Sequence, residues 1–423
     1  MEIISITGTK GKTTITRALS YVINKTGENT LRVDTDGYYI NEKIKGTIEE
    51  SKQIFSLVPT VCPGKYLITM KKFYPNFTAV LETALGSSAE PGLGYGLHNI
   101  GVFSNVLEDH LGATPRLKKR SDIAKAKNFI FSRIDVGGCL VFNADDKLVC
   151  SQLKIIPSHR KPTFLPIGFN FKSFNLKNHL ENKGEFITIE DFFIVIKSKN
   201  TTKKILDSRK IHWTFDGIFK PSLYNLMLII GVLYFHYKKE IPKKTLEILK
   251  NYQLEEFGGR LTLFKNKVGI KILLDYAHEK YSLIEIGKLA EKLKEKKSNK
   301  TIGIVRLAPD RTNKMIFETG QAISNFFEII FVYDKIDGIN RKVYQGKKSN
   351  LKRVIGEVSK IFFDGIISKK TNKKAERIIV EEKAIQKASE ISHKGDVVVI
   401  ICGDNHKKTV GYIKKYFKAS LLN

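Results

Sequence analysis

Cysteine is scarce in this chain of 423 residues: there are four, Cys62, Cys139, Cys150 and Cys402. None forms a CxxC pair or sits beside candidate histidine ligands, which argues against a disulfide framework and a zinc site and leaves small buried or half-buried hydrophobes. Long apolar runs are missing too. The longest, LYNLMLIIGVLYF at 223–235, is too short to span a bilayer and reads as a buried helix. No basic segment with a cleavage site precedes the first apolar strand, so no secretory signal is expected and the cytoplasm is the expected address. Acidic residues are the third deficit: 43 Asp and Glu against 72 Lys and Arg give a formal net charge of +29. The lysines are dispersed in short runs such as KLKEKKSNK at 292–300, with no basic helix and no aromatic RNA-binding motif. Nucleic acid is therefore not the expected partner, and a field of this sign equally suits small polyanions.

What is present begins almost at the first residue. EIISI is a short apolar, β-branched strand, and ITGTKGKTTITRALS at 6–20 follows it into a helix whose apolar positions Ile15, Leu19, Val22 and Ile23 run up to Gly27. Strand, tight loop and helix in that order, with Gly8 and Gly11 in the loop, turn successive N–H groups and a helix N-terminus toward one point, which suits an anion. Lys12 supplies a point charge for the β- and γ-phosphates of ATP and Thr13 a hydroxyl for Mg²⁺. Gly8, Thr9, Lys10, Gly11, Lys12, Thr13 and Thr14 are the candidate nucleotide contacts; the alternative is a strand-to-helix turn with no ligand.

Further strands, FTAVLET, IGVFSNV, CLVFNADD, IKILLDYAH, TIGIVRLAPDR, EIIFVYD and DVVVIICGD, alternate with helical patterns. This predicts an α/β protein with mostly parallel sheets and ligands at the carboxyl ends of strands. The stretch at 163–215 alternates on a shorter period and reads as a small antiparallel part of the first domain. A composition change at LEEFGGR predicts a boundary near residue 256, giving domains 1–255 and 256–423. There is no internal repeat and no low-complexity tract.

Five further signals fall in a fixed order: Glu82 in LET, His110 in EDHLG, Lys127 in DIAKAK, Arg260 in FGGRL, and Asp275 to His278 as DYAH. Singly, each has a plain structural reading as a solvated carboxylate, a loop histidine or an exposed lysine. Together with GTKGKTT they resemble the Mur ligase superfamily of ATP-dependent amide ligases, over nearly the whole chain. Within it, VLETALGSSAEPGLGYGLHNIGVFSNVLEDHLG and GCLVFNADDKLV are most similar to the ligase half of cyanophycin synthetase.

The resemblance implies a P-loop central domain followed by a Rossmann-like C-terminal domain. It implies a carboxylate substrate activated by ATP as an acyl phosphate, then displaced by an amine to give an amide. It also implies two Mg²⁺ ions, with Thr13 and Glu82 as ligands of the first and His110 helping to hold the second. Lys127 corresponds to a lysine that many members carbamylate, which requires partial burial and a lowered pKa. Arg260, Asp275 and His278 would approach the ribose and phosphates. Lys10 replaces the usual Asn of the loop, and of two helical asparagines only Asn225 matches, Ser222 standing in the other position.

The chain opens at the ATPase strand, so neither the uridine-nucleotide domain of the bacterial cell-wall enzymes nor the ATP-grasp module of cyanophycin synthetase is expected. The resemblance then implies a ligase joining a small-molecule amino acid substrate to an acidic peptide-like acceptor, of the archaeal pseudomurein kind. A CapB- or folylpolyglutamate-like γ-glutamyl ligase and a cyanophycin-type ligase are the alternatives.

Overall fold

A computed structural model of the chain describes residues 1–47, 60, 62–67, 76–84, 93–108, 111, 117–253, 260–309, 311–336, 342–344, 350–369, 374–403 and 405–422. It divides into two compact units, Met1–Leu107 with Arg120–Gln253, and Glu108–Lys119 with Leu254–Asn423. His110 and much of the EDHLG and GSSAEPG stretches lie outside the described residues.

The first unit is built on one 11-stranded sheet. In chain order its strands are β1 (Glu2–Thr7), β2 (Thr30–Asp34), β3 (Gly37–Ile40), β4 (Lys43–Thr47), β5 (Thr78–Glu82), β6 (His98–Phe103), β7 (Ile134–Asn143), β8 (Thr163–Ile167), β9 (Phe186–Glu190), β10 (Phe193–Lys197) and β11 (Thr202–Asp207). The spatial order is β11-β10-β9-β8-β7-β6-β1-β5-β2-β3-β4. From β9 to β2 all neighbours run parallel, and an antiparallel extension closes each edge.

The antiparallel part expected at 163–215 is therefore narrower than that stretch. Thr163–Ile167 joins the parallel array, and only β9 to β11 turn back on themselves. The β3–β4 hairpin on the opposite edge follows from its turn, where Asn41 and Glu42 both have positive φ.

Strands β1 and β5 sit in the middle of the sheet, and Ile3–Thr7 and Thr78–Glu82 are buried on both faces. That is why they read as unbroken apolar runs rather than alternating ones. Helix α1 (Lys12–Thr26) lays Ile15, Leu19, Val22 and Ile23 onto the sheet with no exposure. Each such side chain contributes roughly 1.5–3 kcal/mol, and trimming Leu19 to Ala would cost about 2–5 kcal/mol. α1 ends at Gly27, whose positive φ of 126° lets its N–H bond back to Asn24. Helix α2 (Arg120–Ala126) is short, and α3 (Lys220–His236) is the apolar stretch flagged above, buried along most of its length. Among the described residues no helix is long and apolar enough to cross a membrane.

The second unit has a seven-stranded sheet. Its strands are β12 (Thr262–Lys265), β13 (Lys271–Asp275), β14 (Thr301–Val305), β15 (Ile329–Val332), β18 (Lys374–Arg377), β19 (Val397–Ile401) and β20 (Ser420–Leu421), with β16 (Lys342–Tyr344) and β17 (Asn350–Lys352) forming a separate hairpin. The order β18-β15-β14-β19-β13-β12-β20 is parallel from β18 to β13. Helices α4 (Lys280–Leu293), α5 (Asn313–Ile323), α6 (Glu357–Ile367) and α7 (Glu381–Ile391) connect the strands. One core of Ile272, Leu274, Ile304, Phe331, Val398 and Ile400 lies beneath α7 and the C-terminal segment.

Candidate active site

The loop between β1 and α1 is held from behind by Asn105, which follows β6. The Thr9 N–H donates to the Asn105 carbonyl (2.9 Å), the Lys10 N–H to its side-chain Oδ1 (2.9 Å), and its Nδ2 returns a bond to the Lys10 carbonyl (3.2 Å). Ser104 Oγ also donates to that carbonyl (2.6 Å), and the Leu107 N–H donates to Thr9 Oγ1 (3.0 Å). These contacts exist because β1 and β6 are adjacent and parallel, so both loops leave the same edge.

Two glycines are required by this packing. A Cβ on Gly8 would lie 1.9 Å from Ser104 Oγ, and one on Gly11 would lie 2.3 Å from Asn225 Oδ1, with Gly11 at φ +88° capping α1. Asn225 thus stands directly against the loop, on α3. That helix is positioned by the NADD stretch: Asp145 accepts the N–H groups of Phe169 (2.7 Å), Asn170 (3.0 Å) and Phe171 (2.7 Å) and the Tyr224 hydroxyl (2.7 Å). Lys12 Nζ bends back to the Thr9 carbonyl at 3.2 Å.

Beyond the loop a line of oxygens runs from the first turn of α1 across the ends of β2 and β5. Thr13 Oγ1 lies 3.4 Å from Thr35 Oγ1, and Thr35 donates to both oxygens of Glu82 at 3.2 Å. Glu82 is only 3% exposed. Thr35 is not among the residues that the sequence motifs single out. Its position is fixed by Asp34, fully buried at the end of β2, which takes Arg17 Nε (3.0 Å) and the Asp36 N–H (2.9 Å) and lies 3.5 Å from Arg32 Nε. The Tyr39 ring covers the Arg32 guanidinium at 3.8 Å, and burial pushes the Tyr39 hydroxyl up to about 12. Hydroxyl and carboxylate oxygens in a shielded spot are the donor set that suits a hard cation, so Thr13 and Glu82 fit Mg²⁺. Among the described residues there is no group of three His, Cys, Asp or Glu side chains that could hold a metal, and His110 lies outside them.

Lys127 comes directly after α2, where the chain breaks before the short helix Phe129–Ser132, rather than within one continuous helix. Its side chain is buried, 4% exposed, and Nζ donates to the Ala84 carbonyl two residues past Glu82. Lys125 is exposed, so of the two lysines in AKAK only Lys127 meets the burial that carbamylation requires.

In the second unit Asp275 ends β13 and accepts the Leu261 N–H at 2.9 Å, beside the half-buried Arg260. His278 Nδ1 lies 2.9 Å from the Tyr276 carbonyl and its ring packs edge-on to the Tyr276 ring, centroids 5.2 Å apart. The four cysteines are unpaired, three buried and Cys150 half-buried.

The Mur ligase middle domain family matches residues 6–206. Cyanophycin synthetase from Synechocystis is 27% identical over 405 residues, 94% of this chain and 42% of that protein, so the chain spans about four tenths of the length of that curated relative. Among solved structures, a pseudomurein peptide ligase type C from Methanothermus fervidus matches with a TM-score of 0.60 at 15% identity, covering 98% of this chain and 78% of that one. A bifunctional folylpolyglutamate synthase/dihydrofolate synthase from Yersinia pestis, complexed with AMPPNP and Mn ion, matches at 0.62 and 13%, covering 98% and 88%. Residues 6–206 thus match the Mur ligase middle domain family, and over 94% of its length the chain is similar to a cyanophycin synthetase.

Proposed function

We propose that this chain is an ATP-dependent, ADP-forming amide-bond ligase that joins an amino acid to a carboxylate of an acidic peptide-like acceptor. The observation that carries the reading is the row Thr13, Thr35 and Glu82 beside a glycine loop already shaped for an anion. The loop and Lys12 bind the triphosphate, and Asn225, which stands against that loop, is our candidate for a nucleotide contact. Thr13 and Glu82 hold a Mg²⁺ ion, which when bound offsets phosphate charge. The acceptor carboxylate attacks the γ-phosphorus and ADP leaves. The amine nitrogen then bonds to the acyl carbon, phosphate departs with the electron pair of the C–O bond, and the ammonium product loses one proton. Burial of Lys127 beside the Ala84 carbonyl favours a carbamylated side chain, whose new carboxylate supports a second ion with His110. The two units serve as the family's central and C-terminal domains with a boundary near 256, and Arg260, Asp275 and His278 are the second unit's contribution to nucleotide binding.

The acceptor we favour is a cell-wall peptide of the pseudomurein type, in the cytoplasm, where ATP is available. The fold likeness to the Methanothermus fervidus ligase and the +29 charge, which attracts a polyanionic acceptor, support it. The likeness to a folylpolyglutamate synthase and to cyanophycin synthetase supports the γ-glutamyl and cyanophycin-type alternatives. The test supplies ATP, Mg²⁺, single amino acids and either an acidic stem peptide, a poly-aspartate peptide or a folate, and follows the mass gain of one residue. Extension of the stem peptide is expected. Extension of the folate or the poly-aspartate alone would replace the cell-wall reading, and no product with any pair would remove the ligase reading.

A further inference from the structure

Thr7, the last residue of β1, stands where three pieces of the site meet. Ile6 is the register partner of Glu82, so Thr7 lies beside the turn that leaves β5. The Thr83 N–H and the Thr83 hydroxyl both donate to the Ile6 carbonyl at 2.9 Å. In return the Thr7 hydroxyl donates to the Thr83 carbonyl at 3.0 Å and leans toward the Ala84 carbonyl at 3.4 Å. On the other side the Thr7 carbonyl accepts the Ser104 N–H at 3.0 Å, and the Ser104 hydroxyl is the one that braces Lys10. Thr7 and Thr83 are fully buried.

In a continued strand, successive carbonyls point to opposite sides. Here those of Thr83 and Ala84 converge on one hydroxyl, and Lys127 Nζ donates to the same Ala84 carbonyl. A carbonyl serves an ammonium better than it serves a neutral N–H. Left free, it would follow the cation and favour the unmodified lysine. Held by Thr7, it shares its electron density with the hydroxyl and keeps one direction.

That direction matters once the nitrogen is carbamylated. The Lys127 ammonium gives up two protons to solvent, the nitrogen lone pair bonds to the carbon of CO₂, and one C–O π pair moves onto oxygen. Nζ then keeps a single hydrogen and is conjugated with the new carboxylate, which makes the group planar, as in a peptide bond. One N–H donated to one fixed carbonyl sets that plane, and with it where the two new oxygens face. Resting on the carbamate reading given above, we propose that Thr7 is a positioning residue: by holding the Ala84 carbonyl it orients the carbamate of Lys127 and favours its formation.

Carbon-13 NMR of the full chain, with Mg²⁺ and carbon-13 bicarbonate, tests this without turnover. The carbamate signal is the one that Lys127→Ala lacks. Thr7→Val keeps the shape and the main-chain bonds and removes the hydroxyl. The bicarbonate concentration giving half-maximal carbamate is expected to rise at least about tenfold, the usual effect of losing a partner that orients a metal ligand. Thr7→Ser should return it to within threefold of wild type. Thr83→Val removes the neighbouring buried hydroxyl and spares the Thr7 bonds, so it should stay within threefold as well. ADP affinity should stay within twofold in all three. Circular dichroism checks that each is folded, and Thr7→Ala carries the same expectation should Thr7→Val fail that check. An unchanged carbamate in the Thr7 variants, an equal loss in Thr83→Val, or an ADP affinity that falls together with the carbamate would overturn the role of Thr7 and leave the carbamate standing. A wild type without the signal would remove the carbamate and this proposal with it. The ligase reading is judged separately by product mass.

Discussion

The Thr35 hydroxyl stands 3.2 Å from each carboxylate oxygen of Glu82 and ties the loop after β2 to the end of β5. Thr35→Val keeps the shape and removes the tie. The Mg²⁺ concentration giving half-maximal ATP turnover is expected to rise by about 10–100-fold, the usual effect of losing a partner that orients a metal ligand, with a stability loss of only about 1 kcal/mol. A Mg²⁺ titration of phosphate release with the variant checks both the site and the role of Thr35.

Lys12 makes one short contact with its own loop, to the Thr9 carbonyl. Lys12→Ala should therefore leave the melting temperature nearly unchanged while reducing phosphate release by at least about a hundredfold, because a charged partner of the phosphates is lost. Wild-type turnover in a folded variant would refute the assignment of the loop.

Lys127 and Lys125 differ in burial, and their variants should differ accordingly. Lys127→Ala is expected to be nearly inactive and partly rescued by added acetate, which can occupy the place of the carbamate. Lys125→Ala should stay within twofold of wild type. Equal losses for the two, or no response to acetate, would count against the carbamate.

Gly11→Ala places a methyl group 2.3 Å from Asn225 Oδ1 on a backbone at φ +88°. The strain should cost about 1–3 kcal/mol and push α3 away from the loop. A lowered melting temperature together with weakened ATP-analogue binding is expected, and Gly11→Ala combined with Asn225→Gly should recover part of the melting temperature.

His236 is clasped between Glu2 at Nδ1 and Glu28 at Nε2, the latter at 3.0 Å. Burial draws the imidazole down, but the two carboxylates outweigh it and lift the pKa to about 9. The same bond to His236 holds the Glu28 carboxyl below its ordinary range. A histidine raised in the folded chain contributes its stability in full below the unfolded value near 6.5 and loses it as pH rises through about 9. Stability should therefore fall by on the order of 3 kcal/mol across that window, and His236→Gln should flatten the fall. Thermal melts at a series of pH values read this directly.

The first strand, the glycine loop and α1 were legible because all their information is local: a buried β-branched run, two glycines and a helical period. The site residues that could not be read are those held by contacts far apart in the chain. Asn105 looks like the tail of a strand until β6 is laid beside β1, which brings it to Thr9 and Lys10. Thr35 looks like a turn residue until β2 and β5 pair and Arg17 and Arg32 fix Asp34. Asp145 looked like part of a motif and proves to be the anchor of the 169–171 turn and of α3. The edge hairpin β3–β4 was missed because its polar, half-exposed residues carry no hydrophobic period.

Asn105 grips the Thr9–Lys10 turn through both its main chain and its side chain, and this bears on how fast a nucleotide is captured. With those two amides already donated, the N–H groups facing a phosphate are the ones at the start of α1, ahead of the first helical bond from Ile15 to Gly11. The socket has its shape before anything arrives, so little ordering entropy is charged to the nucleotide and its association is set by diffusion and charge steering. Asn105→Ala would hand that ordering step to the ligand, and stopped-flow association would then change from one concentration-proportional phase to one that saturates at high ATP.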